Sequence, residues 1–366
     1  MLGRLLATLL ALSFLAAACG SDEEASGAEP PSEDADADVD TDADTAESDA
    51  DEAAAADGER DEEDTVAAED EAASFPVSIE HTFGATEVPS LPERVVSASG
   101  TMTGHLLNVG APVVAAQVLA PNSPLSDGSG FLLQWGQVAT EAGVEPIAGP
   151  EVNVEAIAAA EPDLIIGTSF GNDAITEDLY ALLSEIAPTI AIDSSGMEWQ
   201  ELALLLGQAT GHIGEAEAAI DDFEASVEAA SAEIDTTHPV VPAVVSGEGG
   251  VNVLTADSPI GQLLTSLGYE VLNIDGSDQV GEAGQGERSD VVSVSPENVV
   301  DLLGDATLLW VFATEEQVPG LIETYPTLGA LPSVAEGRDI PLGAESFRID
   351  RYSADLVVER VVAAQS

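Results

Sequence analysis

Lysine is absent from the chain and arginine is scarce. Eight basic residues face 69 Asp and Glu across 366 residues, a formal net charge of −61. A surface of this sign repels phosphate backbones and anionic headgroups, which excludes nucleic acid as a partner. Such self-repulsion is tolerated best where salt screens it, which suggests a saline habitat. Cysteine occurs once, at Cys19. No intrachain disulfide can form, so the folded part rests on its own core. The four histidines (His81, His105, His212 and His238) are scattered and lack metal-ligand spacing such as H-E-x-x-H. No phosphate-binding loop or dinucleotide fingerprint occurs. A hydrolase therefore has little support, and the expectation is a chain with no catalysis, no resident cofactor and no metal. No apolar run is long enough to cross a bilayer as a helix.

What is present begins with an address. Arg4 precedes an apolar run from Leu5 to Ala18, which fits a signal-peptide core followed by small residues. Residues 1–18 are read as that peptide. The segment Leu15-Ala16-Ala17-Ala18-Cys19-Gly20-Ser21 resembles a bacterial lipobox, with Leu15 one place earlier than the usual leucine. A lone thiol in an exported chain needs a reason, and lipidation of Cys19 supplies one. The alternative is an ordinary secretory peptide with Cys19 lost or idle. Two acyl chains on Cys19 would hold the protein on the cell membrane, facing the extracytoplasmic side.

Composition then divides the mature chain. Residues 20–74 hold 24 Asp or Glu against one Arg and no aromatic residue. Asp-Ala repeats such as Ala35-Asp36-Ala37-Asp38 cannot bury enough apolar surface to offset ordering entropy, and like charges extend the segment. Residues 19–74 are read as the lipidated cysteine and a disordered acidic tether. Calcium binding there is the lesser reading, because EF-hand spacing is missing. From Phe75 onward Val, Ile, Leu and aromatics appear, and the remaining length suffices for two lobes.

The folded part reads as α/β with parallel sheets. Short apolar strands (residues 94–98, 112–119, 163–167 and 189–192) alternate with helical stretches at 103–108, 153–160 and 178–186. A second series follows Pro239: strands at 240–246, 269–274 and 307–312, helices at 259–267 and 297–303. Between them, residues 199–234 are rich in Ala, Glu and Leu and are interrupted by Gly211 and Gly214. The later part of that stretch is read as one long helix linking the lobes. The expected division is 75–213 for the N-terminal lobe, 214–235 for the linking helix and 236–366 for the C-terminal lobe.

A repeat underlies the two series. Asn153-Val154-Glu155 leads through an apolar helix to Asp163-Leu164-Ile165-Ile166, and Ser295-Pro296-Glu297 leads to Asp305-Ala306-Thr307-Leu308. Each glutamate stands two places after a capping residue and eight before an aspartate. A glutamate in a first helical turn complements the helix dipole on its own account. The same placement in both halves asks for more.

Several segments, in order from Phe75 to the C-terminus, look like iron-siderophore ABC-transporter solute-binding proteins. They include Phe75-Pro76-Val77-Ser78-Ile79-Glu80-His81-Thr82-Phe83-Gly84, Pro92-Glu93-Arg94-Val95-Val96 and Asn153-Val154-Glu155-Ala156-Ile157. Others are Leu183-Ser184-Glu185-Ile186-Ala187-Pro188-Thr189, Leu206-Gly207-Gln208-Ala209-Thr210-Gly211 and Leu328-Gly329-Ala330-Leu331-Pro332. The resemblance implies a bilobed protein, two Rossmann-like lobes joined by one long helix. It implies a monomer that binds a ferric siderophore or similar metal chelate between the lobes. It also implies delivery to an ABC permease with a cytoplasmic ATPase. Haem, cobalamin or another chelate stands as the alternative cargo, and a structural acidic surface protein as a different class. In such proteins a glutamate on each lobe docks with permease arginines, and those glutamates fall on Glu155 and Glu297.

Candidate ligand contacts follow from loops at the C-terminal ends of strands, where open α/β sheets bind ligands. They are Met102 within 99–103, Trp135, and Phe170 within Thr168-Ser169-Phe170. The second lobe offers Arg288, Arg348, Arg351 and Tyr352. Large, often anionic chelates call for Arg with aromatics. Two readings stand for each residue: Arg348 and Arg351 as surface pairs with nearby acids, and Trp135 as the lid of a small core, are the other. Trp199 is expected to pack on the linking helix.

Overall fold

The computed structural model describes residues 74–366 except 150, 172, 196, 248, 275–279, 282–289 and 366, with residues 280 and 281 described by backbone alone. The expected leader, Cys19, the acidic tether up to residue 73 and Arg288 lie outside the described residues.

The folded part opens with an antiparallel hairpin of β1 (Val77–His81) and β2 (Gly84–Val88), which pairs Val77 with Val88. A regular alternation follows: β3 (Val95–Ser97), α1 (Thr103–Asn108), β4 (Val113–Gln117), α2 (Gly136–Glu141), β5 (Glu145–Ile147), α3 (Val154–Ala159), β6 (Leu164–Thr168), α4 (Glu177–Ser184) and β7 (Thr189–Ile192). These strands form one sheet in the order β5-β4-β3-β6-β7, parallel throughout. Apart from the edge strand β5, its strands are buried on both faces, as a sheet covered by helices on each side requires.

Helix α5 (Trp199–Thr210) ends at Gly211, whose φ of 79° closes the helix in the left-handed conformation that a side chain would strain. Helix α6 (Ile213–Ser231) then runs uninterrupted for 19 residues, about 28 Å at 1.5 Å per residue.

The second sheet is built from β8 (Val240–Val245), β9 (Val251–Leu254), β10 (Val280–Gly281), β11 (Val291–Val294), β12 (Thr307–Trp310) and β13 (Ile340–Pro341). Its order is β10-β11-β9-β8-β12-β13. Strands β8, β12 and β13 are parallel; β9, β10 and β11 run antiparallel to their neighbours. The α/β fold class stands, but this sheet is mixed where two parallel sheets were expected. Helices α7 (Pro259–Ser266), α8 (Val299–Leu303), α9 (Val318–Thr324), α10 (Pro332–Ala335) and α11 (Arg351–Ala363) accompany it.

Two expectations for this half need correction. Residues 269–274 make no strand; only Val271 bridges to Val240. The helix expected over 297–303 begins at Val299, so Glu297 lies one residue before the N-cap Asn298, whereas Glu155 sits inside the first turn of α3. The two glutamates are therefore not equivalent in local structure.

Side-chain alternation sorts the core into layers. Val95, Leu164, Ile166 and Ile190 of the first sheet share one continuous core with Val240, Leu309 and Ile340 of the second, with Trp199 and Phe223 of α5 and α6, and with Val357 and Val361 of α11. The alternate residues face outward-lying helices: Val96, Ile165 and Ala191 in one cluster, Val241, Leu308 and Trp310 in another. The two sheets are thus joined by a common apolar layer, and the last helix closes it by packing on α1 and α6.

Candidate ligand cleft at the strand ends

Strand order reverses between β3 and β6, which makes their C-terminal ends the topological switch point of the first sheet. The loops leaving them are tied together by buried hydroxyls. Ser99 Oγ accepts the Thr168 N–H at 2.9 Å and donates to the Asp173 carbonyl at 3.1 Å. Thr103 Oγ1 donates to Ser97 Oγ at 3.0 Å, and Ser97, Ser99 and Thr103 are fully buried. Buried hydroxyls with every bond made hold a loop rigidly. On this floor Phe170 stands 50 % exposed.

The run Gly167-Thr168-Ser169-Phe170-Gly171 spells G-x-S-x-G, the lettering of a hydrolase elbow. No elbow forms. The next helix begins only at Glu177, and Ser169 Oγ bonds Thr82 Oγ1 at 2.6 Å. His81 uses Nε2 on Thr86 Oγ1, and its Nδ1 accepts the Phe83 N–H.

In the second sheet β12 stops at Trp310, and Phe312 adopts φ 63°, a conformation that non-glycine residues rarely hold. Its ring lies 5.3 Å from that of Phe347, which is 44 % exposed. The Arg348 guanidinium sits 5.8 Å from the Phe347 centroid. Arg348 is exposed and has no carboxylate or carbonyl partner among the described residues. Leu133, at 37 %, is another large apolar side chain exposed on a strand-end loop. Its loop is fastened to the second half of the chain: Gln134 Nε2 donates to Asp350 Oδ2 at 3.0 Å. Phe312 and Leu133 were not foreseen; no letter pattern announces a left-handed phenylalanine.

Several expected contacts lie elsewhere. Met102 and Trp135 are each 1 % exposed and belong to the shared core. Trp135 stacks near Phe131 at 5.7 Å, and helix α1 passes so close that a Cβ on Gly104 would meet its ring at 2.5 Å. Its Nε1 is buried without a hydrogen-bond partner among the described residues. Arg351 turns away from the strand ends and toward α5 and α6. Its guanidinium lies 4.9 Å from the Phe223 centroid and 5.9 Å from that of Trp199, and it pairs with Asp355. Tyr352 packs against the shared core, and burial, with the Asp350 carboxylate nearby, pushes its hydroxyl up to about 12. Trp199 meets Phe223 of α6 edge-on at 5.2 Å, so it packs on the long helix.

The other described arginines are committed. Arg94 donates to the carbonyls of Ala160 and Glu161, Arg338 pairs with Asp305 and Glu336, and Arg360 pairs with Glu345. Two recesses lie away from the cleft loops. One, of about 300 Å³, sits at the N-terminal ends of β3 and β4 beside Arg94 and Glu145. The other, of about 670 Å³, flanks β13 beside Pro319 and Arg360. Both glutamates expected to dock, Glu155 and Glu297, are exposed.

Comparison with known proteins agrees with this architecture. The periplasmic binding protein family matches residues 95–345. The ferric enterobactin-binding periplasmic protein FepB of Escherichia coli O6:H1 is 35 % identical over 295 residues, covering 80 % of this chain and 92 % of that protein. The probable siderophore-binding lipoprotein YfiY of Bacillus subtilis is 29 % identical over 195 residues, 53 % of this chain and 57 % of that protein. The crystal structure of holo-ViuP superposes with a TM-score of 0.69 at 30 % identity, covering 80 % of this chain and 96 % of that one. These relatives bind substrates and are not enzymes, in line with the expected lack of catalysis. The chain belongs to the periplasmic binding protein family.

Proposed function

We propose that this protein is the extracytoplasmic solute-binding component of an ABC importer and that its cargo is a ferric siderophore. The observation that carries the reading is the extent of the likeness to FepB, 35 % identity across 92 % of that protein's length. The strand-end loops fit the same cargo: they expose Phe170, Leu133 and Phe347, and beside Phe347 stands Arg348, which has no carboxylate or carbonyl partner among the described residues. Large chelates need apolar area with a few placed charges. Cargo binds between the two halves, and Glu155 and Glu297 present a pair of carboxylates to arginines of the permease. A diacylated Cys19 keeps the monomer at the membrane, and the acidic residues up to 74 give it reach toward that permease.

The test is a titration of the purified full chain with ferric enterobactin, ferrichrome, ferric citrate, haem and cobalamin. Saturable binding of a ferric siderophore with a dissociation constant in the micromolar range or below is expected. Tighter binding of haem or cobalamin than of every siderophore would refute the cargo assignment, and silence toward all five would refute the function.

A further inference from the structure

The hairpin of β1 and β2 turns on two residues, Thr82 and Phe83, with His81 paired to Gly84. Two-residue hairpin loops favour turns with positive φ at the first central residue or at both. Neither Thr82 nor Phe83 holds one; the positive φ, 120°, falls on Gly84. A side chain supplies the missing support. His81 Nδ1 accepts the Phe83 N–H at 3.2 Å, two residues on, as an asparagine does in an Asx turn. A backbone N–H can only donate, so Nδ1 is unprotonated and the ring hydrogen is on Nε2. Nε2 donates it to Thr86 Oγ1 at 2.8 Å, and that hydroxyl donates to the Thr189 carbonyl of β7 at 2.7 Å. The turn lies beside a strand-end loop of the first sheet. The Thr82 N–H donates to the Ala191 carbonyl at 3.0 Å, and the Ser169 N–H donates to the next carbonyl, that of Ile192, at 2.9 Å. Thr82 Oγ1 joins the two segments at Ser169 Oγ, 2.6 Å away. The residue after Ser169 is the half-exposed Phe170. Tyr180 of α4, which follows the same loop, packs its ring 5.2 Å from that of His81 and 5.1 Å from that of Phe83.

We propose that the β1–β2 hairpin sets the Ser169–Phe170 loop for cargo, with Thr82 as the positioning residue and His81 as an acid-sensitive lock on the turn that carries it. The inference rests on the reading of the strand-end loops as the cargo site. Protonation puts a hydrogen on Nδ1, which then faces the Phe83 N–H donor to donor. The turn loses its support, and Thr82 loses its fixed place beside Ser169. Burial holds the imidazole below its ordinary range, so the accepting form prevails at neutral pH and is lost only in acid. Tyr180 is the titratable side chain that faces the ring, with its hydroxyl 3.4 Å from Nε2. The carboxylates on the elements packed about the hairpin are Glu80 on β1, Glu87 on β2, Glu177 and Asp178 on α4, and Glu201 on α5. None of them pairs with His81 among the described residues, so no anion offsets the added charge.

The experiment follows ferric enterobactin binding by the full chain at pH 7.5 and 5.0, read as the ratio of variant to wild type, which cancels the protonation of the chelate itself. His81→Asn keeps an acceptor where Nδ1 stands and does not titrate. It should match wild type at pH 7.5 and bind about three- to tenfold more tightly than wild type at pH 5.0, the effect of one hydrogen bond turned to repulsion in the wild type. Thr82→Val, at an exposed position, should weaken binding about two- to fivefold at pH 7.5, and Thr82→Ser should restore it. Hydrogen exchange of the amides of residues 82–83 and 167–171 in cargo-free protein reads the lock directly. Corrected for the intrinsic effect of pH, exchange should be faster at pH 5.0 in wild type and unchanged in His81→Asn. The same pH profile in wild type and His81→Asn overturns the role of His81, and wild-type affinity in Thr82→Val overturns that of Thr82. Silence of the wild-type protein toward ferric enterobactin, with the exchange difference present, refutes that cargo and supports the lock. Silence without the exchange difference overturns both.

Discussion

Gln134 and Asp350 are 216 residues apart in sequence and 3.0 Å apart in space. The Gln134 amide donates to one carboxylate oxygen of Asp350, and the other oxygen accepts the Ser353 N–H at the start of α11. Ser353 returns the favour by accepting the Asp350 N–H at 2.8 Å, which completes a capping box. One buried side chain therefore fastens a first-half loop and caps the last helix. Asp350→Ala should lower stability by about 1–2 kcal/mol for the cap, with more for the orphaned Gln134 amide. Asp350→Asn, which still caps, should cost clearly less. Urea denaturation of the two variants against wild type measures the difference.

Arg351 is the neighbouring residue with a different duty. It lies against Phe223 and Trp199 and donates to the Ala219 carbonyl, which fixes α11 to α6. Arg351→Ala should cost roughly 1–2 kcal/mol through lost stacking and packing. Arg351→Lys should recover only part of it, because an ammonium lacks the planar fork. Thermal unfolding midpoints report both, and siderophore affinity at temperatures well below the transition should stay near wild type.

Acid should weaken the fold through histidine. Burial holds the imidazoles of His81 and His105 below their ordinary range; for His105 it prevails over the opposing pull of Asp350. A depressed histidine pKa means that the unfolded chain takes up protons first as pH falls below about 6.5. Stability is therefore full at neutral pH and declines below that value. Urea midpoints at pH 7.5 and 5.5 should differ, and His105→Gln should shrink the gap. At the alkaline end Tyr352 acts in the opposite sense. Its hydroxyl is raised to about 12, so the stability it contributes is present below pH 10 and lost as pH climbs toward 12. Tyr352→Phe should blunt that loss.

Glu155 and Glu297 are both exposed, one inside a helical turn and the other just ahead of a cap. Paired Ala substitutions should cut iron uptake by cells at least roughly tenfold, the expected loss for two interfacial charges. Siderophore affinity of the purified variant should match wild type. Normal uptake by the double variant would remove these residues from docking.

Cys19 is tested separately. Globomycin should cause an unprocessed precursor to accumulate, and Cys19→Ser should move the protein from the membrane fraction to the soluble one. Processing that ignores globomycin would leave Cys19 without its lipid.

Much of the first half was legible in the letters because local and long-range preferences agree there. Helix α1 spans the expected Thr103–Asn108 and is followed by Gly110 at φ 73°. Asn153 caps α3 by accepting the Ala156 N–H, and Gly211 closes α5. The second half concealed more. Strand β9 reads Val251-Asn252-Val253-Leu254, only four residues with Asn252 as its one polar member, and half of its antiparallel pairing depends on β11, some forty residues further along the chain. Helix α11 carries charge throughout its sequence, and its cap was spelled in Asp350 and Ser353, a signal present but unused. The candidate ligand contacts were the least legible part. Trp135 and Met102 have the chemistry of ligand contacts, yet packing takes them into the core. Phe312 carries no mark of its backbone conformation, which is imposed by a serine 34 residues later.

The return of α11 onto α1 and α6 has a mechanical consequence. A receptor whose halves met only along one linking helix would have a single flexural axis and could gape widely. Here the polypeptide crosses between the halves and then straps back across the same seam, with Asp350 as the buckle. Two straps that are not collinear resist both bending and shear, and they leave a small torsional freedom as the soft coordinate. On the proposed reading, capture would have to proceed with little opening of such a body, and a permease would have to tell loaded from empty by small differences in shape.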